Sequence, residues 1–591
     1  MSDVVEYRID LLLRHAHLYT VEARFPVGGA EPWVDLKLPV WTPGSYLVRE
    51  FERHLQELVC DDGEGRPLPV RKVDKSTWRV DARAARRIRA RYKVYAWDLT
   101  VRSAHLDDTH GFWNGACVFL YTDALASGPH RVVVAPPLGW QVTVGLEETE
   151  PHTYVARSYD ELVDSPFEVG THEVVSFLAQ SKAHRLAIWG RVETPRDTLV
   201  ADFIKIIETA QAVFGEPLPY PDYTFILLTA ANQYGGLEHA RSCALLTSPF
   251  TFQPRKKYEE FLELVSHEFF HLWNVKRIHP EALGPFDYQR ENYTRSLWVM
   301  EGVTSYYDRY LLVRAGLQPP KRYLEKLGEE LGKIAAIPGR FRQSLEESSF
   351  DAWIKLYRPD ENSVNSTISY YLKGGVVSLL LDLEIRTQSK GTRSLDDVMR
   401  LLWQRYGKAG KGFPDDGVQA IVEEASGCAL AAFFDRYVRG REELDANPIL
   451  RTVGLQVKAG AEDDDENKAP QGWLGCNLKD DGESVLVTAA LDGGPAVGAG
   501  IYANDEIIAL DGFRCDLSGL KDRLAGRAPG DRVTLTLFRR EELRSIAITL
   551  GEKPPEKWEV VPVEDPTDAE RAAYQAWMGQ PLESESEKKD A

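Results

Sequence analysis

His267-Glu268-Phe269-Phe270-His271 places two imidazoles four residues apart, with a carboxylate beside the first. On an α-helix both rings share a face and can reach one zinc ion, while Glu268 reaches a water bound to that ion. The surroundings support a helix. Phe261, Leu262, Leu264 and Val265 begin an apolar pattern that continues through Phe269, Leu272 and Trp273. The competing reading is a core helix whose two histidines are satisfied by neighbours. A hydrolytic zinc needs a third protein ligand and an open position for water. Downstream, Glu301 is the lone carboxylate in the apolar run Leu297-Trp298-Val299-Met300-Glu301-Gly302-Val303. An acid in such a run is costly to bury unless it is paired or bound to a metal, so Glu301 is the expected third ligand. The alternative is a surface glutamate near a helix start.

These two segments, HEFFHLWN and WVMEGVTSYYD, resemble the gluzincin arrangement, and in detail the M61 glycyl aminopeptidases, relatives of the M1 aminopeptidases. The interval from His271 to Glu301 is longer than in M1 enzymes, which makes M61 the closer match. Tyr234-Gly235-Gly236-Leu237-Glu238-His239 resembles the glycine-rich segment whose glutamate binds the substrate amine in M1 enzymes, although Leu237 and His239 stand where Met and Asn are usual. Adjacent glycines let backbone approach an extended peptide, and a fixed carboxylate pairs with an ammonium group. Without the zinc motif, the same residues would read as a Gly-Gly turn followed by a surface acid. Tyr370-Tyr371-Leu372-Lys373-Gly374 is similar to the Tyr-x-Lys-Gly signature, which implies that Tyr371 donates to the oxyanion, with Tyr370 as the adjacent candidate. The resemblance also implies that Asp308, seven residues after Glu301, orients a zinc ligand.

The implied chemistry is zinc-assisted hydrolysis of the first peptide bond, with one zinc per chain held by His267, His271 and Glu301. Glu268 takes the proton of the zinc-bound water and later returns it to the leaving amine. Glu238, with Gly235 and Gly236, binds the free N-terminus of a peptide substrate, and the family resemblance implies a preference for glycine and alanine. Two alternatives stand beside this: a zinc endopeptidase of broader specificity, and a peptide-binding scaffold whose metal site is not catalytic. The presence of both a base and an oxyanion donor disfavours the scaffold, because a purely structural zinc needs neither.

The elements that must position these residues suggest a multidomain α+β chain. Short alternating runs such as Tyr7 to Leu13, Thr20 to Phe25, Arg131 to Ala135 and Gln141 to Val144 predict an N-terminal β-sandwich over residues 1–170. Within it, Trp41-Thr42-Pro43-Gly44-Ser45-Tyr46 marks a tight turn and resembles a segment typical of M61 N-terminal domains, with packing as its expected role. Residues 171–457 pass from a few strands, including Tyr223 to Leu228, to long helical patterns, which suits a thermolysin-like α/β and helical catalytic domain. Residues 458–470 read as an acidic linker. Residues 471–553 resemble a PDZ domain, with Leu474, Gly475 and Cys476 in its carboxylate-binding loop, and would take a peptide or protein C-terminus. Residues 554–591 read as a tail with one helix, Asp568 to Met578, before a charged, disordered end.

The 591-residue length suits several domains, and the net charge of −19 argues against nucleic acid and anionic membranes as partners. No apolar run approaches a transmembrane span, and the N-terminus lacks a basic segment followed by a long apolar stretch. The six cysteines lack metal or redox spacing and read as reduced packing residues. The expected location is therefore cytoplasmic.

Overall fold

The alternation in VEYRIDLLL becomes the strand Val5–Leu13, with Val5, Tyr7, Ile9 and Leu11 buried on one face. That strand lies near the middle of an eight-stranded sheet in the computed structural model, which describes residues 4–28, 32–83, 85–460, 471–482 and 484–583. It pairs in parallel with His130–Ala135 and antiparallel with Leu18–Pro26. A four-stranded sheet, ordered Gln141–Val144, Phe167–Gly170, His110–Trp113, Ala104–Leu106, shares the same core. Tyr19 of the first sheet meets Trp113 of the second at 5.1 Å between ring centroids. The expected N-terminal β-sandwich is therefore present. The Trp41–Tyr46 segment forms the expected tight turn, with a Thr42–Ser45 bridge and Gly44 at φ 82°.

The next sheet has five strands. Glu173–Ala179 and Lys182–Trp189 form a hairpin, and Lys182–Trp189 runs parallel to Asp222–Thr229 across the helix Arg196–Phe214. Ser242–Thr247 follows in parallel, and Gly235–Glu238 closes the edge antiparallel to it. The helix Arg255–Phe270 packs against these last two strands and against Arg196–Phe214. Its regular turns end at Phe270, three residues before the apolar pattern stops. His271 keeps αR geometry as the C-cap, and the chain then folds over so that the Asn274 carbonyl returns to the His271 ring.

The chain forms two compact units. One comprises Met1–Thr294, Tyr307–Gln318 and Asp396–Ile421; the other comprises Arg295–Tyr306, Pro319–Leu395 and Val422–Ala591. In the second, helices including Pro320–Ala335 and Leu372–Gln388 precede the small C-terminal sheet that runs from Cys476–Asp480 to Glu542–Thr549. Glycine lets a strand seat on the Pro320–Ala335 helix, since a Cβ at Gly332 would come within 2.9 Å of Trp558 Cδ1.

Two features differ from the sequence-based reading. The acidic linker was expected from residue 458, but Leu455–Gly460 is a strand, paired antiparallel with Lys557–Pro562 in what was read as tail. Backbone pairing to a segment about a hundred residues away outweighs a composition that looks like linker and tail. The rest of the linker, 461–470, and the charged end, 584–591, lie outside the described residues. The helix Asp568–Met578 forms with the expected bounds, and a Thr567–Glu570 capping box fixes its start. Among the described residues, no helix is long and apolar enough to cross a membrane.

Candidate metal centre and peptide edge

The histidine in the last turn of the Arg255–Phe270 helix and the one that caps it are each held through Nδ1. His271 Nδ1 lies 2.6 Å from the carbonyl oxygen of Asn274, which can only accept, so Nδ1 donates. His267 Nδ1 lies 3.0 Å from Asp308 Oδ2 and donates to that carboxylate. With both rings neutral, each then presents a lone pair at Nε2, and the two Nε2 atoms are 3.0 Å apart. Two facing lone pairs repel unless a cation sits between them. The separation is close to the roughly 3.3 Å that two imidazoles take on tetrahedral zinc. A Glu301 carboxylate oxygen completes a group of ligand atoms that all lie within 4.8 Å of one another. Two nitrogens and one carboxylate oxygen are a donor set that fits zinc.

Glu301 sits in a π-helical turn, Trp298–Gly302, that leads into Val303–Arg314. Nothing in the sequence pattern marked this widened turn, although such turns concentrate at functional sites. Gly302 allows a close helix crossing there. A Cβ on it would meet Gly374 Cα at 2.7 Å and the Tyr370 carbonyl oxygen at 2.9 Å. The Gly374 of the Tyr-x-Lys-Gly segment thus has a packing role.

Glu268 is buried, whereas His267 is only partly so, and it faces the edge strand Gly235–Glu238. A Cβ on Gly236 would stand 2.6 Å from Glu268 Cγ, with the carboxyl group nearer still. Glycine at 236 is what lets the strand lie across this side chain. Gly235 opens the same strand, and the carbonyl of Gly236 accepts from Arg102 Nη2 at 3.1 Å. Arg102 comes from the N-terminal domain and carried no recognisable signal in the sequence.

Glu238 is 3 % exposed, and among the described residues its Oε1 meets no hydrogen-bond donor. Gly44 of the tight turn closes over it, because a Cβ there would come within 2.6 Å of both carboxylate oxygens. The Trp41–Tyr46 segment, expected only to pack, therefore also shapes the Glu238 site. A Glu238 oxygen, a Glu268 oxygen and a His271 ring nitrogen lie within 4.8 Å of one another. His239, in place of the usual asparagine, bonds through Nδ1 to Asp164 at 3.1 Å. Burial opposes ionisation of Asp164, but Lys276 and His239 outweigh it and hold its carboxyl down at about 2.

Tyr371 caps the helix Leu372–Gln388, is half-buried, and shares a 3.1 Å hydrogen bond with the hydroxyl of Tyr357. Burial, followed by the Glu301 charge, raises its hydroxyl well above the ordinary phenol range, so it stays a donor at neutral pH. Tyr370 is fully buried. Tyr357 is a further candidate that the sequence reading missed. In the C-terminal sheet, Leu474 is buried and Gly475 adopts φ 76° against Gly494 and Pro495. Cys476 opens the edge strand Cys476–Asp480, which lies beside the helix Leu517–Ala525.

Residues 6–171 match the Peptidase M61 N-terminal domain, residues 260–377 the M61 glycyl aminopeptidase family and residues 472–550 the PDZ domain. The crystal structure of an aminopeptidase N family protein from Idiomarina loihiensis is 34% identical, covering 97% of this chain and 100% of that chain, with a TM-score of 0.90. An M1 zinc metallopeptidase from Deinococcus radiodurans is 12% identical over 75% of this chain and 95% of that chain, with a TM-score of 0.46. A probable periplasmic serine endoprotease DegP-like from Halomonas elongata is 29% identical over 102 residues, which are 15% of this chain and 22% of that protein. The chain thus spans about a fifth of the length of such curated relatives.

Proposed function

As a member of the M61 peptidase family, this chain is a zinc metallopeptidase of the aminopeptidase kind with a C-terminal PDZ domain, and we propose that it releases single small residues, glycine and alanine first, from peptides with a free amino terminus. The observation that carries this reading is the pair of Nε2 atoms facing each other at 3.0 Å, with both Nδ1 atoms held by acceptors and a Glu301 oxygen in the same group of ligand atoms. One catalytic zinc per chain would be held by His267, His271 and Glu301. When bound, it supplies the Lewis acidity that activates water and polarises the scissile carbonyl.

The chain's own residues do the rest. Asp308 and the Asn274 carbonyl hold the two imidazoles in the tautomer that turns Nε2 inward. Glu268 accepts the proton of the attacking water on its carboxylate and passes it to the departing amine nitrogen. Tyr371 donates its hydroxyl hydrogen to the carbonyl oxygen as negative charge develops. Glu238 pairs with the substrate ammonium.

Distance then limits cleavage to the first bond. The first carbonyl carbon lies about 2.5 Å from the terminal nitrogen, and each further residue adds up to ~3.5 Å. With the Glu238 and Glu268 oxygens within 4.8 Å, only the first carbonyl comes beside the base while the ammonium stays on Glu238. The glycine and alanine preference rests on the glycyl aminopeptidase family match. The PDZ domain would add an extended peptide along Cys476–Asp480, with a terminal carboxylate at the Leu474–Cys476 loop. We also propose the cytoplasm as the site of action, supported by six cysteines that are all free.

The test is a panel of aminoacyl chromogenic substrates, each free and N-acetylated, with and without chelator. The expected result is chelator-sensitive turnover of the free glycyl and alanyl compounds and none of the acetylated ones. Equal cleavage of blocked and free substrates would replace this reading with the endopeptidase.

A further inference from the structure

A second group of side chains of metal-ligating type lies in the N-terminal sandwich, away from the HExxH helix in sequence. Ala104–Leu106 and His110–Trp113 form a hairpin, and the turn between them is tied to Asp107. Asp107 Oδ1 accepts from the backbone N–H groups of Thr109 at 2.7 Å and His110 at 2.9 Å, and from the Thr109 hydroxyl. Its other oxygen, Oδ2, faces His105 Nε2 at 3.3 Å. His110 is fully buried, with Nδ1 3.2 Å from both oxygens of Glu168, itself fully buried. Nδ1 therefore donates to Glu168 and leaves a lone pair at Nε2, which among the described residues meets no partner. One ligand atom each from His105, Asp107 and His110 falls within a 4.8 Å group.

We propose that His105, Asp107 and His110 bind a second divalent cation, with zinc as the ion that suits two imidazoles and one carboxylate. Three features make this more than a chance cluster. Glu168 stands behind His110 as carboxylates stand behind zinc-bound histidines, fixing the tautomer and the ring. Trp189 stacks on the His110 ring at 3.6 Å and Trp97 on the His105 ring at 5.0 Å, which fixes both planes. Asp107 has one oxygen saturated by the turn and the other aimed at the histidines, so the hairpin presents a ligand without further rearrangement.

The ion's role follows from what the hairpin carries. Arg102 precedes His105 by three residues and holds the Gly236 carbonyl on the peptide edge. A cation clamping residues 105, 107 and 110 fixes the base of the segment that bears Arg102. It acts as a brace for the edge strand and takes no part in the chemistry.

The test is a metal count on the full-length protein after equilibrium dialysis against zinc. Wild type should hold two ions per chain. Asp107→Asn, which keeps an oxygen for the turn and removes the ligand, should hold one. His267→Gln with His271→Gln should also hold one, and adding Asp107→Asn to that pair should bring the count to none. Circular dichroism confirms that each variant is folded. Because Asp107 is partly exposed, its variant avoids the folding risk of replacing a buried histidine. A wild-type count of one at zinc excess, or a count that Asp107→Asn leaves at two, overturns the proposal.

Discussion

Gly236→Ala separates catalysis from stability, because it displaces the proposed base far more than it changes the fold. The added Cβ would stand 2.6 Å from Glu268 Cγ, whereas ordinary contact begins at 3.4 Å. The strand is held by pairing of Gly236 with Leu245 and by Arg102 on the Gly236 carbonyl, so the side chain is what moves. It must retreat by more than the difference, 3.4 − 2.6 = 0.8 Å, and its carboxyl group by more than its Cγ. A displacement of about 1 Å in a catalytic group costs on the order of 10²-fold in rate, or ~2.7 kcal/mol. Alanine in place of strand glycine meanwhile gains about 0.5–1 kcal/mol from the backbone, against roughly 1–3 kcal/mol for crowding a filled site. The expected variant therefore melts within a few degrees of wild type, carries the same zinc, and turns over a glycyl chromogenic substrate about a hundredfold more slowly. Steady-state kinetics, a thermal melt and a metal count decide it. A kcat within threefold of wild type would refute the placement of Glu268 as the base beside this strand.

Four further outcomes follow from the same geometry. Glu268→Gln should retain zinc and lose at least ~10³-fold in kcat, since the amide cannot take a proton; substantial turnover would remove Glu268 as base. Glu238→Gln should lower kcat/KM for free-amine substrates by about 10²-fold; an unchanged preference for free over acetylated substrates would end its role in amine binding. Asp308→Asn should weaken zinc binding about 10- to 100-fold, measured by competition with a chelator, and unchanged affinity would show that His267 needs no orienting partner. Lys373 is buried with no partner for its Nζ among the described residues, and burial, offset in part by Glu443, lowers its pKa from 10.5 to about 8. Below pH 8 both states are protonated and the buried charge costs roughly 3 kcal/mol. From pH 8 to 10.5 the unfolded chain binds more protons, so wild-type stability rises. Lys373→Met should therefore be the more stable form at pH 7, with the gap closing towards pH 10.5, and a pH-independent difference in denaturant melts would contradict this.

What was legible in the sequence follows from how local each signal is. The histidine pair and Glu268 are visible because helical spacing alone puts them on one face. Glu301 is visible because a single acid in an apolar run needs a partner. The π turn that carries it is not, since it depends on the tight approach of Gly302 to Gly374, seventy-two residues later in the chain. Gly44 and Arg102 carry no site signal for the same reason: each acts on the 235–238 strand from the N-terminal sandwich, and no pattern around either one points there. The strand Lys557–Pro562 follows a proline-rich stretch, and its partner lies on the far side of the PDZ domain, so neither half shows its pairing.

The exopeptidase geometry reduces to a strand period. Residues i and i+2 of a strand face the same side, so Gly236 and Glu238 share the face turned towards Glu268, while Leu237 points away into an apolar cluster with Val101, Phe112 and Ile226. On that face one position must be empty, because the Glu268 side chain fills the space a Cβ would need. In the proposed function, the next position on the same face holds the acid that anchors the ammonium. Glycine and glutamate two residues apart are thus two halves of one requirement: the first admits the base, and the second fixes how far the substrate enters. Moving the acid by one residue would turn it into the Leu237 cluster, and moving it by two would add about two residues of peptide between anchor and base. In that proposed reading the position of Glu238, more than the metal ligands, is what separates an aminopeptidase from an endopeptidase.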